Sequence, residues 1–188
     1  MIPATGLRIV HDRSALAQAV ARLGAEISAA HPAGVLMVGV LPGSLFLMAD
    51  LVRVLAIPCE VDFLALSEYT PGHGRVRIEK DVDIDVGDRQ VVLVEDIVDT
   101  GLTTAFVVDE LRRRAARSVE VCTMFDRRAR RIVPVVLHHV GFVAPDDLLL
   151  GYGLDVRGRY RNLGFVAAVD VHVLARDPDA HVTYLYGQ

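Results

Sequence analysis

Residues 91–104, VVLVEDIVDTGLTT, decide the fold of this chain. Val91–Val94 are β-branched or leucine and are followed at once by acids, which predicts a short buried strand. Residues 99–104 are small or hydroxylated and include one glycine, which predicts a tight turn that opens a helix. The free backbone N–H groups of such a turn attract an anion. The stretch therefore predicts an anion site at the carboxyl end of a strand.

Three carboxylates, those of Glu95, Asp96 and Asp99, stand beside this predicted anion site. They would repel a phosphate unless they hold sugar hydroxyls or Mg²⁺ instead. The combination suits a phosphorylated ribose. Helix capping by Asp99 or Thr100 is the alternative interpretation. It leaves two adjacent acids, Glu95 and Asp96, unexplained at the end of a strand.

Strand and helix patterns alternate along the rest of the chain, which predicts an α/β fold with a mainly parallel sheet covered by helices. The first helix is amphipathic, with Asp12 or Ser14 as its cap, and Ser44 is expected to cap the second. Strands are expected at 35–40, 59–66, 75–80 and 119–125, a helix from Thr103 to about Arg114, and strand-like runs near Val135, Phe142 and Phe165.

Composition limits the class of protein. The 188 residues are 52% hydrophobic with a formal net charge of −4, which fits one enzyme domain and predicts no nucleic acid or membrane partner. No apolar run approaches the roughly 20 residues that span a bilayer, and no secretory signal is evident. Cys59 and Cys122 lie in apolar strand patterns, so reduced thiols and a cytoplasmic location are expected. The seven histidines show no metal-ligand spacing.

The 91–104 stretch resembles the phosphoribosyl pyrophosphate (PRPP) motif of the type I phosphoribosyltransferases. Four further segments, beginning at Gly39, after Leu66, at Met124 and at Asp147, make most of the chain similar to the hypoxanthine-guanine phosphoribosyltransferases. The resemblance implies the type I fold as a single domain over 1–188. Its core is expected at about 10–125, and a small hood subdomain over the base site largely from 126 onward with the N-terminal residues.

The same resemblance implies the reaction. Hypoxanthine or guanine and PRPP would give IMP or GMP and pyrophosphate, with Mg²⁺ as cofactor. A homo-oligomer, dimer or tetramer, is expected.

The resemblance also assigns roles within the PRPP motif. Asp99 is expected to exchange a proton with N7 of the purine as general base or acid. Glu95 and Asp96 would hold ribose hydroxyls or the associated Mg²⁺, and Ile97 would contact the purine. The residues expected to bind the 5′-phosphate and ribose of PRPP are Glu95, Asp96, Asp99, Thr100, Gly101, Leu102, Thr103 and Thr104.

The pyrophosphate is expected on Pro42, Gly43, Ser44 and Arg161. The family usually reads Leu-Lys-Gly-Ser at the loop, and here Pro42 replaces the lysine, which removes a positive charge and a backbone N–H. Two interpretations stay open. Leu41–Pro42 could be cis, which costs only about 0.5–1 kcal/mol before proline against about 2.5–4 kcal/mol elsewhere. It could equally be an ordinary trans turn.

The residues after Leu66 resemble the family's flexible catalytic loop, in which a Ser-Tyr pair closes over the reaction centre. Tyr69 matches the tyrosine and is expected to exclude water, whereas Glu68 replaces the serine. Arg75 and Arg77 are candidates to neutralise Glu68. A solvated Glu68 is the alternative.

Most of the residues expected to bind the purine lie in the second half of the chain. Arg127 occupies the position of the family's lysine that binds the 6-oxo group, with Arg128 as the alternative alignment. Leu148 would pack on the base where the family more often has an aromatic ring, and Leu149 would offer backbone groups. Asp155 is expected near the base and a second Mg²⁺, so the expected metal ligands are Glu95, Asp96 and Asp155.

Departures from the family pattern at Pro42, Glu68, Arg127 and Leu148 leave two other functions open. One is a phosphoribosyltransferase for another base, xanthine or a non-purine. The other is a non-catalytic nucleotide-binding regulator of the same fold.

Overall fold

The computed structural model describes residues 6–67 and 77–187. In chain order its elements are β1 Arg8–His11, α1 Arg13–Ala30, β2 Val35–Leu41, α2 Leu45–Val54, β3 Cys59–Leu66, β4 Ile78–Lys80, β5 Gln90–Val98, α3 Leu102–Arg113, β6 Ser118–Asp126, a 3₁₀ turn Arg128–Arg130, β7 His139–Val143, β8 Leu148–Leu150, β9 Val166–Val169, α4 Val171–Arg176 and α5 Val182–Tyr186. Among the described helices, none has the length and apolar character needed to cross a membrane.

A six-stranded sheet in the order β4-β3-β2-β5-β6-β7 forms the core. The β3–β4 pair is antiparallel and the other neighbours are parallel. Helices α1 and α2 cover one face, against residues such as Met37 and Val92, and α3 covers the other, against Leu36 and Val91. Both faces of β5 are therefore buried, which explains its continuous apolar run. The predicted α/β class with a mainly parallel sheet is confirmed.

A second, three-stranded antiparallel sheet in the order β1-β9-β8 brings the two ends of the chain together. An apolar cluster that includes Tyr160 and Leu163 packs on it. The strands of this sheet come from the N-terminal residues and from the segment after 126, the parts of the chain that the prediction assigned to a hood. Strand β7 adds residues 139–143 to the core sheet.

Several local predictions are confirmed and others are corrected. Asp12 caps α1, accepting a hydrogen bond from the Ala15 N–H at 2.8 Å. Strand β5 runs to Val98, four residues beyond the predicted Val94, because β6 continues to pair with it through Asp126. No strand forms near Val135, which lies in an irregular segment. Ser44 stands at the start of α2 but makes no side-chain cap hydrogen bond.

Asp62 in β3 fixes the loop that leads into β5. Its carboxylate accepts hydrogen bonds from the N–H groups of Phe63, Asp83 and Ile84 at 2.6–2.8 Å. Burial alone raises the pKa of Asp62, but these donors and Lys80 outweigh burial and lower the pKa below its usual value. The ionised form therefore stabilises the folded state.

We expect Asp62→Asn to lower the free energy of unfolding at pH 7 by about 1–3 kcal/mol, because buried N–H groups lose a charged acceptor. The difference should be present above the unfolded-state pKa, about 3.9, and should disappear as the pH falls through the lower folded-state pKa. Urea unfolding at several pH values measures it. Asp83→Asn is the control, since that side chain is 90% exposed. A loss that is equal for both variants would contradict the role of Asp62.

Candidate functional site

The turn between β5 and α3 forms a cavity of about 200 Å³. Gly101 stands at the start of α3 with φ +83°, a left-handed conformation that favours glycine. The N–H groups in the first turn of α3 have no partner within the helix, so they are available to an anion. The cavity is lined by Glu95, Ile97, Asp99, Thr100, Gly101, Thr103 and Thr104. Leu102, also predicted to bind phosphate, is not among the lining residues and has a side chain that is 52% exposed.

Residues 131–133 hold this turn from behind. The Arg131 guanidinium donates to the carbonyls of Asp99 at 2.9 Å and Val98 at 3.1 Å. The N–H groups of Ile132 and Val133 both donate to the Thr100 carbonyl, at 2.8 and 3.0 Å. A Cβ on Gly101 would lie 2.5 Å from the Val133 carbonyl oxygen, so this packing also requires glycine. The sequence analysis did not identify this role of Arg131.

Glu95 lies at the buried base of the cavity and is only 5% exposed. Burial raises the pKa of Glu95 well above its usual range, and the neighbouring charge of Asp96 adds to the effect. The Thr104 hydroxyl donates to Glu95 at 3.4 Å. Because desolvation disfavours the free carboxylate, a hydroxyl or a cation bound beside it would stabilise it.

A second group of residues meets around Asp96. Gly43 contacts the Asp96 carboxylate so closely that any Cβ at position 43 would overlap it. The Arg161 guanidinium forms an ion pair with Asp155 at 2.8 Å and donates a hydrogen bond to the Gly153 carbonyl. Burial raises the pKa of Asp96; the positive charge of Arg161 lowers it, and the negative charge of Asp155 raises it further. The structure thus brings together a predicted pyrophosphate loop, a predicted metal ligand and Arg161.

This group also fits a magnesium ion by its donor chemistry. Carboxylate oxygens are the ligands that Mg²⁺ prefers, usually one or two from the protein together with substrate phosphates. Asp96 and Asp155 provide such oxygens, and burial, with the negative charge of Asp155, raises the pKa of Asp96. Glu95 is more deeply buried, beside Thr104.

Asp99 and Arg127, predicted as the proton-transfer residue and the purine-binding residue, contact each other. The Arg127 guanidinium donates to Asp99 Oδ2 at 3.1 Å, to the Asp147 carbonyl at 2.9 Å and to the Pro145 carbonyl at 3.3 Å. Its side chain is 6% exposed. Each of the three guanidinium nitrogens therefore contacts the protein through one N–H group, and two of the five N–H groups make none of these contacts.

The other carboxylate oxygen of Asp99, Oδ1, has no hydrogen-bond partner within residues 6–67 and 77–187. Asp99 also lines the cavity. This oxygen is buried, so it is an unsatisfied hydrogen-bond acceptor beside the cavity. The alternative candidate, Arg128, is directed elsewhere, since it donates to Asp126 at 2.7 Å with a side chain that is 69% exposed.

The remaining predicted site residues are placed as follows. Leu148 and Leu149 lie on β8 in the small sheet, Leu148 half-buried and Leu149 buried. The Leu41–Pro42 peptide is cis, one of the two forms considered above. Ser44 is fully buried and its N–H donates to the Val40 carbonyl at 3.2 Å. Tyr69, with Glu68 and Arg75, lies outside the described residues.

We expect Arg127→Met to lower the free energy of unfolding by about 1–3 kcal/mol, because removing the buried guanidinium leaves two backbone carbonyls and a partly exposed carboxylate without their donor. Arg127→Lys should cost less, since it keeps the charge near Asp99. Arg128→Met is the neighbouring control and should change stability by less than about 1 kcal/mol, because Arg128 is 69% exposed and Asp126 keeps its ion pair with Arg131. Urea denaturation at pH 7 measures all three. Equal losses for Arg127→Met and Arg128→Met would contradict the buried role.

The fold and this turn define a class of protein, the type I phosphoribosyltransferases. The phosphoribosyl transferase domain family matches residues 7–145. Hypoxanthine phosphoribosyltransferase of Haemophilus influenzae is 41% identical over 157 residues, which cover 80% of this chain and 88% of that protein. Hypoxanthine-guanine phosphoribosyltransferase of Bacillus subtilis is 36% identical over 166 residues, covering 86% and 92%.

Solved structures agree with these relatives. A hypoxanthine-guanine phosphoribosyltransferase from Bacillus anthracis superposes with a TM-score of 0.82 at 33% identity, covering 87% of this chain and 98% of that one. A hypoxanthine phosphoribosyltransferase from Staphylococcus aureus gives 0.84 at 29% identity, covering 88% and 92%. The chain belongs to the hypoxanthine-guanine phosphoribosyltransferase family.

Proposed function

We propose that this protein transfers the phosphoribosyl group of PRPP to hypoxanthine or guanine, giving IMP or GMP and pyrophosphate, and so salvages purines. The observation that carries the proposal is the cavity between β5 and α3, where helix N–H groups face the same space as Glu95 and Asp99. The relatives named above are enzymes for these bases. We take the chain as one domain, with a core sheet and a hood formed by the small sheet.

In this proposal the turn binds the sugar phosphate. The N–H groups and hydroxyls of Thr100–Thr104 hold the 5′-phosphate, as a helix N-terminus holds an anion. Glu95 and Asp96 hold ribose hydroxyls or the associated metal. The pyrophosphate lies against Pro42, Gly43 and Arg161. Ser44 contributes through its place in the loop, since its hydroxyl is buried.

When bound by Asp96 and Asp155, with Glu95 nearby, Mg²⁺ would neutralise the negative charge of the pyrophosphate. Asp99 exchanges a proton with N7 of the base through a carboxylate oxygen, Oδ1, that has no protein partner among the described residues. Tyr69 closes over the reaction centre and excludes water. Contacts to the purine come from Ile97, Arg127, Leu148, Leu149 and Asp155.

The test is steady-state turnover with Mg²⁺ and PRPP on hypoxanthine, guanine, xanthine and adenine in parallel. We expect hypoxanthine or guanine to give the highest kcat/KM. Preference for xanthine or another base would instead support the second candidate, an enzyme of the same fold with another specificity, which the three protein contacts of Arg127 favour. Nucleotide binding without turnover on any base would reject both.

We further propose a homo-oligomer, a dimer or tetramer, in the cytosol. The exposed side chains of Ile132 and Val136, 70% and 72% accessible, offer apolar surface that a second copy could cover. Both cysteines are free thiols, as a reducing compartment requires. Light scattering coupled to size-exclusion chromatography tests the oligomeric state.

A further inference from the structure

Three side chains that are distant in sequence meet at the opposite end of the core sheet from the cavity. His31 ends α1, Glu120 lies near the start of β6, and His139 begins β7. His31 Nε2 lies 3.2 Å from Glu120 Oε2, and His139 Nε2 lies 3.0 Å from the same oxygen. The potential ligand atoms of all three residues lie within 4.8 Å of one another. Because the three residues are far apart in sequence, they form no metal-binding motif that could be recognised from spacing.

The separations suit a small tetrahedral ion. Zinc binds imidazole nitrogen and carboxylate oxygen at about 2.0–2.2 Å, so neighbouring tetrahedral ligands lie about 3.4 Å apart. The nitrogen–oxygen distances of 3.0 and 3.2 Å come close to this spacing. Two histidines and one carboxylate leave a fourth position for water. Glu120 is 26% exposed along its side chain, which gives that position access to solvent.

The surroundings of His139 orient its ring as metal-binding histidines are oriented. Glu26 Oε2 lies 3.4 Å from His139 Nδ1, and Arg22 donates to the other oxygen of Glu26 at 2.8 Å. A carboxylate that accepts from Nδ1–H fixes the proton there and leaves the Nε2 lone pair free for a metal. In this arrangement Nε2 faces Glu120 and His31.

The C-terminal end of α1, where His31 lies, adds an electrostatic field that favours a bound cation. His31 is the C-cap of α1 and is 1% exposed. The carbonyl end of a helix carries partial negative charge, which stabilises a cation placed there. A cation would also bridge α1, β6 and β7, which all end or begin at this edge.

We propose that His31, Glu120 and His139 form a second metal site, for Zn²⁺ or a similar divalent transition-metal ion, with Glu26 as the carboxylate that orients His139. Asp96 on β5 lies level with Met124, four residues beyond Glu120 on β6, so this site and Asp96 are about 13 Å apart along the strand direction. The nitrogen donors select against Mg²⁺, which prefers oxygen. A bound ion would stabilise the junction of the three elements.

The test uses the full-length protein in excess Mg²⁺, which occupies the carboxylates near Asp96, and titrates Co²⁺ as a visible spectroscopic probe that Zn²⁺ then displaces. We expect one Co²⁺ per chain with the intense absorption of a tetrahedral site. His139→Gln and His31→Gln should weaken binding at least about 100-fold, and Glu26→Gln about 10-fold, as loss of an orienting partner does. The exposed His172 provides a matched control, since His172→Gln should bind like the parent.

Stability provides a second readout. Zn²⁺ should raise the melting temperature of the parent and of His172→Gln, because it binds the folded state, and should not raise that of His139→Gln. Melting curves recorded without metal show whether each variant is folded. Unchanged Co²⁺ affinity in folded His139→Gln and Glu26→Gln, or no Co²⁺ binding by the parent, would overturn the proposal.

Discussion

Asp99→Asn is expected to lower kcat for nucleotide formation by about 100-fold or more, the contribution that a positioned proton-transfer group makes. Asparagine can still accept the hydrogen bond that Arg127 donates to Oδ2, but it cannot take a proton from the base. Binding of PRPP should stay close to the parent value, because the phosphate and ribose contacts come from other residues of the turn. Steady-state kinetics and a separate PRPP-binding titration measure the two effects.

Asp109→Asn is the matched control for this variant, since Asp109 is exposed on α3 and lies outside the cavity. It should leave kcat unchanged. A difference in melting temperature between the two variants would report the weakened pair with Arg127. Parent-like turnover by Asp99→Asn would reject proton transfer by this residue and would leave Asp99 as a structural partner of Arg127.

Much of the fold was predictable because its signals are local. The apolar run Val91–Val94 follows from burial on both faces, and Gly101 marks the turn that only a left-handed residue can form. The grouping of Glu95 to Thr104 around one cavity follows as well, since a strand, a turn and a helix are consecutive in sequence. The end of β5 was not predictable, because its last residues are held by pairing with β6 rather than by apolar character.

Contacts between segments that are distant in the chain could not be predicted from the sequence. Arg131 binds the carbonyls of the turn from a segment 32 residues away, and the charge cluster around it gave no sign of this target. Arg127 is similar: the sequence places a cation in the base site, whereas the structure shows that it is engaged with Asp99 and two carbonyls. The His31, Glu120 and His139 group depends on three elements that only the sheet order brings together.

Gly43→Ala is expected to lower kcat/KM for PRPP by about 100-fold, the cost of displacing a positioning group by about 1 Å. Gly43 is not among the glycines with positive φ, so alanine brings no backbone strain. Instead its Cβ would overlap the Asp96 carboxylate. Asp96 must then move away from Arg161 and Asp155, and the proposed pyrophosphate and Mg²⁺ contacts change together. Initial rates over a range of PRPP and Mg²⁺ concentrations measure both.

Gly87→Ala is the control, because its Cβ would lie 3.2 Å from Asp85 Oδ1, on an exposed side chain that can shift. Its kinetics should match those of the parent. Melting temperatures of both variants separate a local effect from general destabilisation. A folded Gly43→Ala protein with parent-like dependence on PRPP and Mg²⁺ would show that the position of Asp96 is unimportant to transfer. The proposed metal set would then reduce to Glu95 and Asp155.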